Sequence, residues 1–205
     1  MIDLRASLER LLHRIWYEGH WASHCLIPLS RLVEWEIRRR AALDLGKGVP
    51  QQGAKVWVIG GLTVGGTGKT PVLIALGEWL RHQGVSVGVI SRGYRGRVGK
   101  KAHIVSASDS ATDVGDEPLL IQNQLDCPVV VCRDRGAALA AMVRQFDVDV
   151  VLSDDGLQHY SLPRDLEVVV LDGKRGLGNG RIIPAGPLRE PAARRLRPEQ
   201  GRVAK

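Results

Sequence analysis

The stretch Thr63-Val64-Gly65-Gly66-Thr67-Gly68-Lys69-Thr70 sets a lysine and a hydroxyl at the end of a run of small residues. That combination suits a polyanion. Glycines let backbone N–H groups turn inward around a phosphate without Cβ clashes. Lys69 would reach the β- and γ-phosphates of a nucleotide, and the Thr70 hydroxyl would bind Mg²⁺. The apolar run Val56-Trp57-Val58-Ile59 precedes the loop. Val72, Leu73, Leu76, Trp79 and Leu80 follow it at helical spacing. Strand, glycine-rich loop and helix is the context such a loop needs, because the helix N-terminus adds unpaired N–H groups and partial positive charge. The strict pattern has glycine at 63, where this chain has Thr63. The competing reading is a glycine-rich turn that only packs closely.

Three further groups carry chemistry. Ser153-Asp154-Asp155-Gly156-Leu157-Gln158-His159 ends an apolar run with two adjacent acids. Asp154 and Asp155 suit a Mg²⁺ site, because two neighbouring carboxylates need a cation or solvent to coexist; a turn capped by Asp is the alternative. His159 reads as a structural hydrogen-bonding group. In Gly115-Asp116-Glu117-Pro118, Asp116 is either a helix N-cap or a carboxylate that accepts a proton from an attacking hydroxyl. Ser91-Arg92-Gly93-Tyr94 pairs an arginine able to clamp phosphate with an aromatic ring able to stack on a base or sugar. A Gly/Pro-rich loop carrying Arg181 and Arg189 closes the set; it is either an anion-binding loop or a disordered tail.

The elements that must position these groups alternate. Strands are expected at 55–59, Val85–Ile90, Ala102–Ser106, Pro128–Cys132, Asp149–Leu152 and Leu166–Leu171. Helices are expected at 70–83, Glu117–Leu125 and Arg135–Phe146. Short apolar strands interleaved with helices imply a mostly parallel sheet covered on both faces. Ligands of such sheets bind beyond the carboxyl ends of the strands, where the groups above fall. Ahead of the sheet, Leu4, Leu8, Leu11, Leu12 and Ile15 form an amphipathic stripe, and a second helix is expected from Pro28 through Ile37. Trp16, Trp21 and Trp35 with flanking arginines suit either a membrane interface or a packed helical hairpin. Lys47–Gly53 reads as a linker.

The chain has 205 residues, 44% hydrophobic and 25% charged, which fits one sizeable α/β core. Its net charge of +7 is all in Lys174–Lys205, which holds nine Lys/Arg against two acids. A second basic cluster is Arg92, Arg95, Arg97, Lys100 and Lys101. Both suit an anionic substrate or surface as well as solvated loops. Cys25, Cys127 and Cys132 show neither a zinc nor a redox spacing and point to a reducing compartment. The basic tail has no aromatics for a stacking platform, so no nucleic-acid partner is expected.

Together these motifs, with Gly178-Asn179-Gly180 and Pro184-Ala185-Gly186-Pro187-Leu188-Arg189-Glu190, resemble the tetraacyldisaccharide 4'-kinase family, the lipid A 4'-kinases. The resemblance implies a P-loop NTPase-type three-layer α/β sandwich preceded by amphipathic helices. It implies transfer of phosphate from ATP, with Mg²⁺, to the 4'-hydroxyl of a tetraacylated glucosamine disaccharide 1-phosphate. The place of work would be the cytoplasmic face of the inner membrane, as a peripheral monomer. Carried over, Thr63–Thr70 bind nucleotide, with Lys69 also catalytic. Thr70, Asp154, Asp155 and Glu117 serve the metal, Asp116 is the base, and Tyr94 and Arg189 line the site. The domains expected are membrane-associating helices at 1–45, a kinase domain at 54–191 and an irregular basic tail at 192–205. Family members continue past the match to Glu190-Pro191 into a lobe whose histidine pairs with the aspartate at Asp116. The residues after Pro191 show no core pattern, so truncation or a change of frame there, and poor activity, are expected. The runner-up is a partition-type ATPase switch, but Val64 stands where its signature lysine belongs. A GTP switch lacks its Asn-Lys-x-Asp motif.

Overall fold

The computed structural model describes residues 4–44, 53–94, 96–99 and 101–196. Residues 47–52 of the expected linker, Arg95 and Lys100 of the basic cluster, and the tail from 197 lie outside the described residues.

Six strands form one sheet in the order β3-β4-β2-β5-β1-β6: β1 Lys55–Gly61, β2 Val87–Ser91, β3 His103–Ile104, β4 Val129–Val131, β5 Val150–Asp154 and β6 Leu166–Val170. The pairs β1–β5, β2–β5 and β2–β4 are parallel, and β3 runs antiparallel to β4. Val-rich central strands are buried on both faces, which is why they read as continuous apolar runs. The short β3 falls within the expected 102–106 but spans only two residues.

Helices α4 (Lys69–His82), α5 (Ala111–Val114), α6 (Asp116–Leu125) and α7 (Arg135–Gln145) make the connections. The crossovers β1→β2 and β2→β4 move one way across the sheet, and β4→β5 moves back. Right-handed connections then put α4 and α6 on one face and α7 on the other. The packing agrees: α4 meets α6 where Gly77 lies against Leu125, and α7 meets β2 where Gly88 lies against Met142. The result is the expected three-layer α/β sandwich.

Contacts divide the described chain into two compact units. One comprises the described residues within Met1–Leu43, Gly61–Thr67 and Val169–Lys205; the other comprises those within Asp44–Gly60 and Gly68–Val168. The first unit contains α1 (Leu4–Tyr17), α2 (Ala22–Cys25) and most of α3 (Ile27–Asp44). Its buried residues include Ile15, Ala41, Leu62, Ile182, Ala185 and Leu188. The expected stripe of α1 is split: Ile15 is buried, while Leu8 and Leu11 are exposed. In α3 the pattern inverts. Ser30 and Ala41 are buried, and Leu29, Leu32 and Trp35 face solvent. Ser30 is inward because its hydroxyl donates to Ile182 O (2.8 Å) and accepts from Ala185 N (3.0 Å). Residues 192–194, expected to be irregular, form a 3-10 turn. Arg195 is buried against the fully buried Glu190, Nε to Oε2 3.2 Å.

Candidate functional site

The loop after β1 begins in the first unit, where a second strand-like segment shapes it. Val64 N donates to Pro187 O (2.8 Å), Arg189 N donates to Leu62 O (2.7 Å), and Thr63 bridges Leu188. Thr63 is buried in this pairing and does not take a positive φ, so glycine is not required there. The positive-φ positions come later, at Gly65 (φ 106°) and at Gly68 (φ 77°), the N-cap of α4. Thr67 Oγ1 is buried without a hydrogen-bond partner. One residue that sequence reasoning passed over enters here. Arg175 Nη2 donates to Gly66 O (2.9 Å) and to Asp172 Oδ2 (2.8 Å). Arg189, expected to line the site, contributes its backbone N–H to the loop's base.

The second unit continues the same chain with Lys69 and Thr70 as the first residues of α4. Lys69 Nζ lies 3.8 Å from Asp155 Oδ1. Asp154 ends β5, in register with Ile59 of β1. Ser91 Oγ donates to its Oδ2 (3.1 Å), while its Oδ1 is buried without a partner. Burial, with the Glu117 carboxylate adding to it, pushes the Asp154 carboxyl up to about 6. Arg135, at the start of α7, donates to the backbone carbonyl of Asp154; its Nε and Nη1 are buried without partners, and burial draws its guanidinium down to about 10. Burial and then the charges of Arg135 and Arg92 draw His159 down to about 4, so it is neutral at pH 7. Its backbone N–H donates to Gly156 O (3.0 Å), and its carbonyl accepts from Leu162 N (3.2 Å) and from Arg164.

Asp116 does not cap α6. Gly115 occupies the N-cap position, and Asp116 is the first helical residue, exposed, with Glu117 next to it. The carboxylates still favour the positive end of the helix. Tyr94 stands exposed beyond β2, on the ligand side of the sheet. Lys69, Asp154, Asp155 and, electrostatically, Glu117 are thus brought together within this unit. The expected trio Asp154, Asp155 and Glu117 is not a ready-made cage, since no three His, Cys, Asp or Glu side chains converge on a metal position among the described residues. A magnesium ion does not need one. It keeps several waters and takes one or two carboxylates plus phosphate oxygens, and the orphaned Asp154 Oδ1 fits that donor set.

A mostly parallel three-layer sandwich, with a glycine-rich loop between β1 and α4 and an acid ending the neighbouring β5, defines a P-loop α/β protein. Residues 22–200 match the family model "Tetraacyldisaccharide-1-P 4'-kinase". The chain is 50% identical over 188 residues to a tetraacyldisaccharide 4'-kinase of Alcanivorax borkumensis, covering 92% of this chain and 57% of that protein. It is 49% identical over 185 residues to that of Shewanella oneidensis, covering 89% of this chain and 55% of that protein. A crystal structure of LpxK from Aquifex aeolicus in complex with ATP superposes with a TM-score of 0.71 at 28% identity, covering 89% of this chain and 64% of that one. The chain belongs to the tetraacyldisaccharide 4'-kinase family. It spans little more than half the length of the curated relatives it matches. The family match runs to residue 200.

Proposed function

We propose that this chain binds ATP with Mg²⁺ and serves the transfer of the γ-phosphoryl group to the 4'-hydroxyl of a tetraacylated glucosamine disaccharide 1-phosphate. The observation that supports this most is the meeting of Lys69 with Asp155, and of a buried, half-satisfied Asp154 with them, at the carboxyl end of the sheet. Residues Thr63–Thr70 cradle the phosphates through backbone N–H groups, and Lys69 adds its charge to the β- and γ-phosphates. Thr70, Asp154 and Asp155 would hold the metal, with Glu117 nearby. When bound, Mg²⁺ neutralises charge on the phosphate oxygens and orients them. Asp116 accepts the proton of the 4'-hydroxyl as its oxygen bonds to the γ-phosphorus and the bond to the ADP oxygen breaks. The family resemblance assigns Tyr94 and Arg189 to the lining of the site.

The longer relatives contain residues beyond the matched stretch, and the family resemblance assigns the partner of Asp116 to them. A missing acid–base partner costs roughly 10²–10⁴-fold in rate. This chain is therefore expected to bind ATP yet phosphorylate the acylated disaccharide at least ~10²-fold more slowly than the same chain joined to the Alcanivorax relative's C-terminal part. Equal turnover by the two in a kinase assay would refute that dependence. No phosphorylation by the joined protein would refute the proposed activity.

No described helix is long and apolar enough to cross a membrane. A peripheral place on the cytoplasmic face of the inner membrane is supported by the exposed Leu8, Leu11, Trp21, Leu29, Leu32 and Trp35 beside basic residues. Cys25 is an exposed thiol next to these residues, while Cys127 and Cys132 are buried. A polarity-sensitive dye on Cys25 is expected to shift to the blue with phosphatidylglycerol vesicles and to stay unchanged with phosphatidylcholine vesicles. Emission indifferent to both lipids would remove the helices from the membrane.

A further inference from the structure

We infer that Arg175 is a positioning residue of the phosphate loop, a latch that sets the peptide between Gly66 and Thr67; this rests on the nucleotide-binding reading above. Arg175 sits on a turn built around Asp172. Asp172 Oδ1 accepts the backbone N–H groups of Lys174 (2.9 Å) and Arg175 (3.1 Å), and Gly176 N returns to Asp172 O (2.7 Å). The other carboxylate oxygen takes Arg175 Nε (3.0 Å) and Nη2 (2.8 Å). The guanidinium beside Asp172 holds that carboxyl below its usual range. Nη2 is left pointing at one further acceptor, Gly66 O, at 2.9 Å.

The turn itself is fastened from behind. Asn179 N donates to Trp16 O (2.8 Å), Asn179 Nδ2 donates to Ile15 O (3.1 Å), and Trp16 Nε1 donates to Pro184 O (3.0 Å). Gly178 has a positive φ of 58°, and a Cβ there would meet Trp16 O at 2.8 Å, so the close approach depends on glycine. The last turn of α1, the 172–180 turn and the loop apex are thus one hydrogen-bonded series inside the first unit.

A trans peptide is planar, so its C=O and the following N–H point opposite ways. The only cis bond among the described residues is Ile183–Pro184. Holding the Gly66 carbonyl to the Arg175 side therefore aims the Thr67 N–H away from it. A phosphate cradle requires N–H groups turned in and carbonyls turned out. Gly65 and Gly66 have no side chains to enforce that choice, and a flexible loop without the latch would sample both orientations. Lysine cannot substitute fully, since only the planar fork spans Asp172 and Gly66 O together.

The test measures ATP and AMP binding by calorimetry, and melting without ligand, for the wild type and for Arg175→Ala, Arg175→Lys, Asp172→Asn and Lys69→Ala. Arg175→Ala is expected to weaken ATP binding ~10-fold, the scale of one charge-assisted hydrogen bond. AMP, which reaches less of the loop, should lose under ~3-fold, a small fraction of that scale. Arg175→Lys should recover part of the loss and Asp172→Asn reproduce part of it. Ligand-free melting should hardly move, since the latch lies at the surface. ATP binding retained in Arg175→Ala but lost in Lys69→Ala overturns the latch and leaves the nucleotide site standing. Equal losses for ATP and AMP, or a melting point lowered by many degrees, overturn it as well, by making Arg175 merely structural. A wild type that does not bind ATP overturns both.

Discussion

Replacing Lys69 with alanine is expected to cost this protein on the order of 10²-fold in ATP affinity. Lys69 is the first residue of α4, mostly buried, and points its ammonium to within 3.8 Å of Asp155. Two effects add when it is removed. The phosphates lose a charge-assisted partner, a contact of roughly 1.5–3 kcal/mol. Asp154 and Asp155, adjacent acids at the end of β5, also lose the ammonium that lies 3.8 Å from Asp155, so a triphosphate would approach two carboxylates with less opposing charge. Arginine at 69 should not restore binding, because a wide planar fork does not replace a compact ammonium at a loop built around glycines. Calorimetric titration with Mg²⁺-ATP checks this; undiminished binding by the alanine variant would remove the loop from the nucleotide site.

Changing Asp154 to asparagine is expected to move stability and binding in opposite directions. The carboxyl titrates at about 6 in the folded chain, raised first by burial and then by Glu117, against roughly 3.9 when unfolded. Between pH 4 and 6 the folded chain holds a proton that the unfolded chain has lost. Stability then falls as pH rises through that window and stays reduced above it. A shift of about two pH units corresponds to ~3 kcal/mol at pH 7. The amide keeps an acceptor for Ser91 and carries no charge, so in chelator the variant should melt several degrees above wild type at pH 7.5 and level with it at pH 4. Mg²⁺-dependent ATP binding should weaken roughly tenfold or more. A variant that melts lower than wild type in chelator would make Asp154 a structural cap.

Much of the sheet was legible because its strands are short, Val-rich and doubly buried. Runs such as Val129–Val131 and Val150–Leu152 leave few other readings. Boundaries slid by one or two residues, and β5 extends to include Asp154 itself. Four-residue α5 went unread, since its residues Ala111–Val114 have no apolar period. The cap reading of Asp116, one of the two left open, followed residue preference, but Gly115 takes that position at φ 94°, a conformation open to glycine. In α3 periodicity misled, because Ser30 is drawn inward by backbone partners 152 and 155 residues away. Arg175 was invisible for the same reason: its contact with Gly66 crosses 109 residues. The glycines, Lys69, Asp154 and Asp155 could be singled out because each falls within a short motif, while the loop's hydrogen-bond partners Arg175, Pro187 and Arg189 lie 109 or more residues away.

That distance has a consequence for how the protein is made. Ile15 and Trp16 bond to Asn179 and Pro184, Ser30 to Ile182 and Ala185, and Leu62 and Val64 to Pro187 and Arg189. None of these contacts can exist until the later partner has been synthesised. Every residue from Lys55 to Asp154, the span of the first five strands, leaves the ribosome before those partners do. The nascent chain can pair its parallel strands while its earliest helices wait with Leu29, Leu32 and Trp35 uncovered, exposed to chaperones or lipid. The proposed nucleotide loop would then take its shape late, only after residues 175–189 return to the residues around 15 and 62–66.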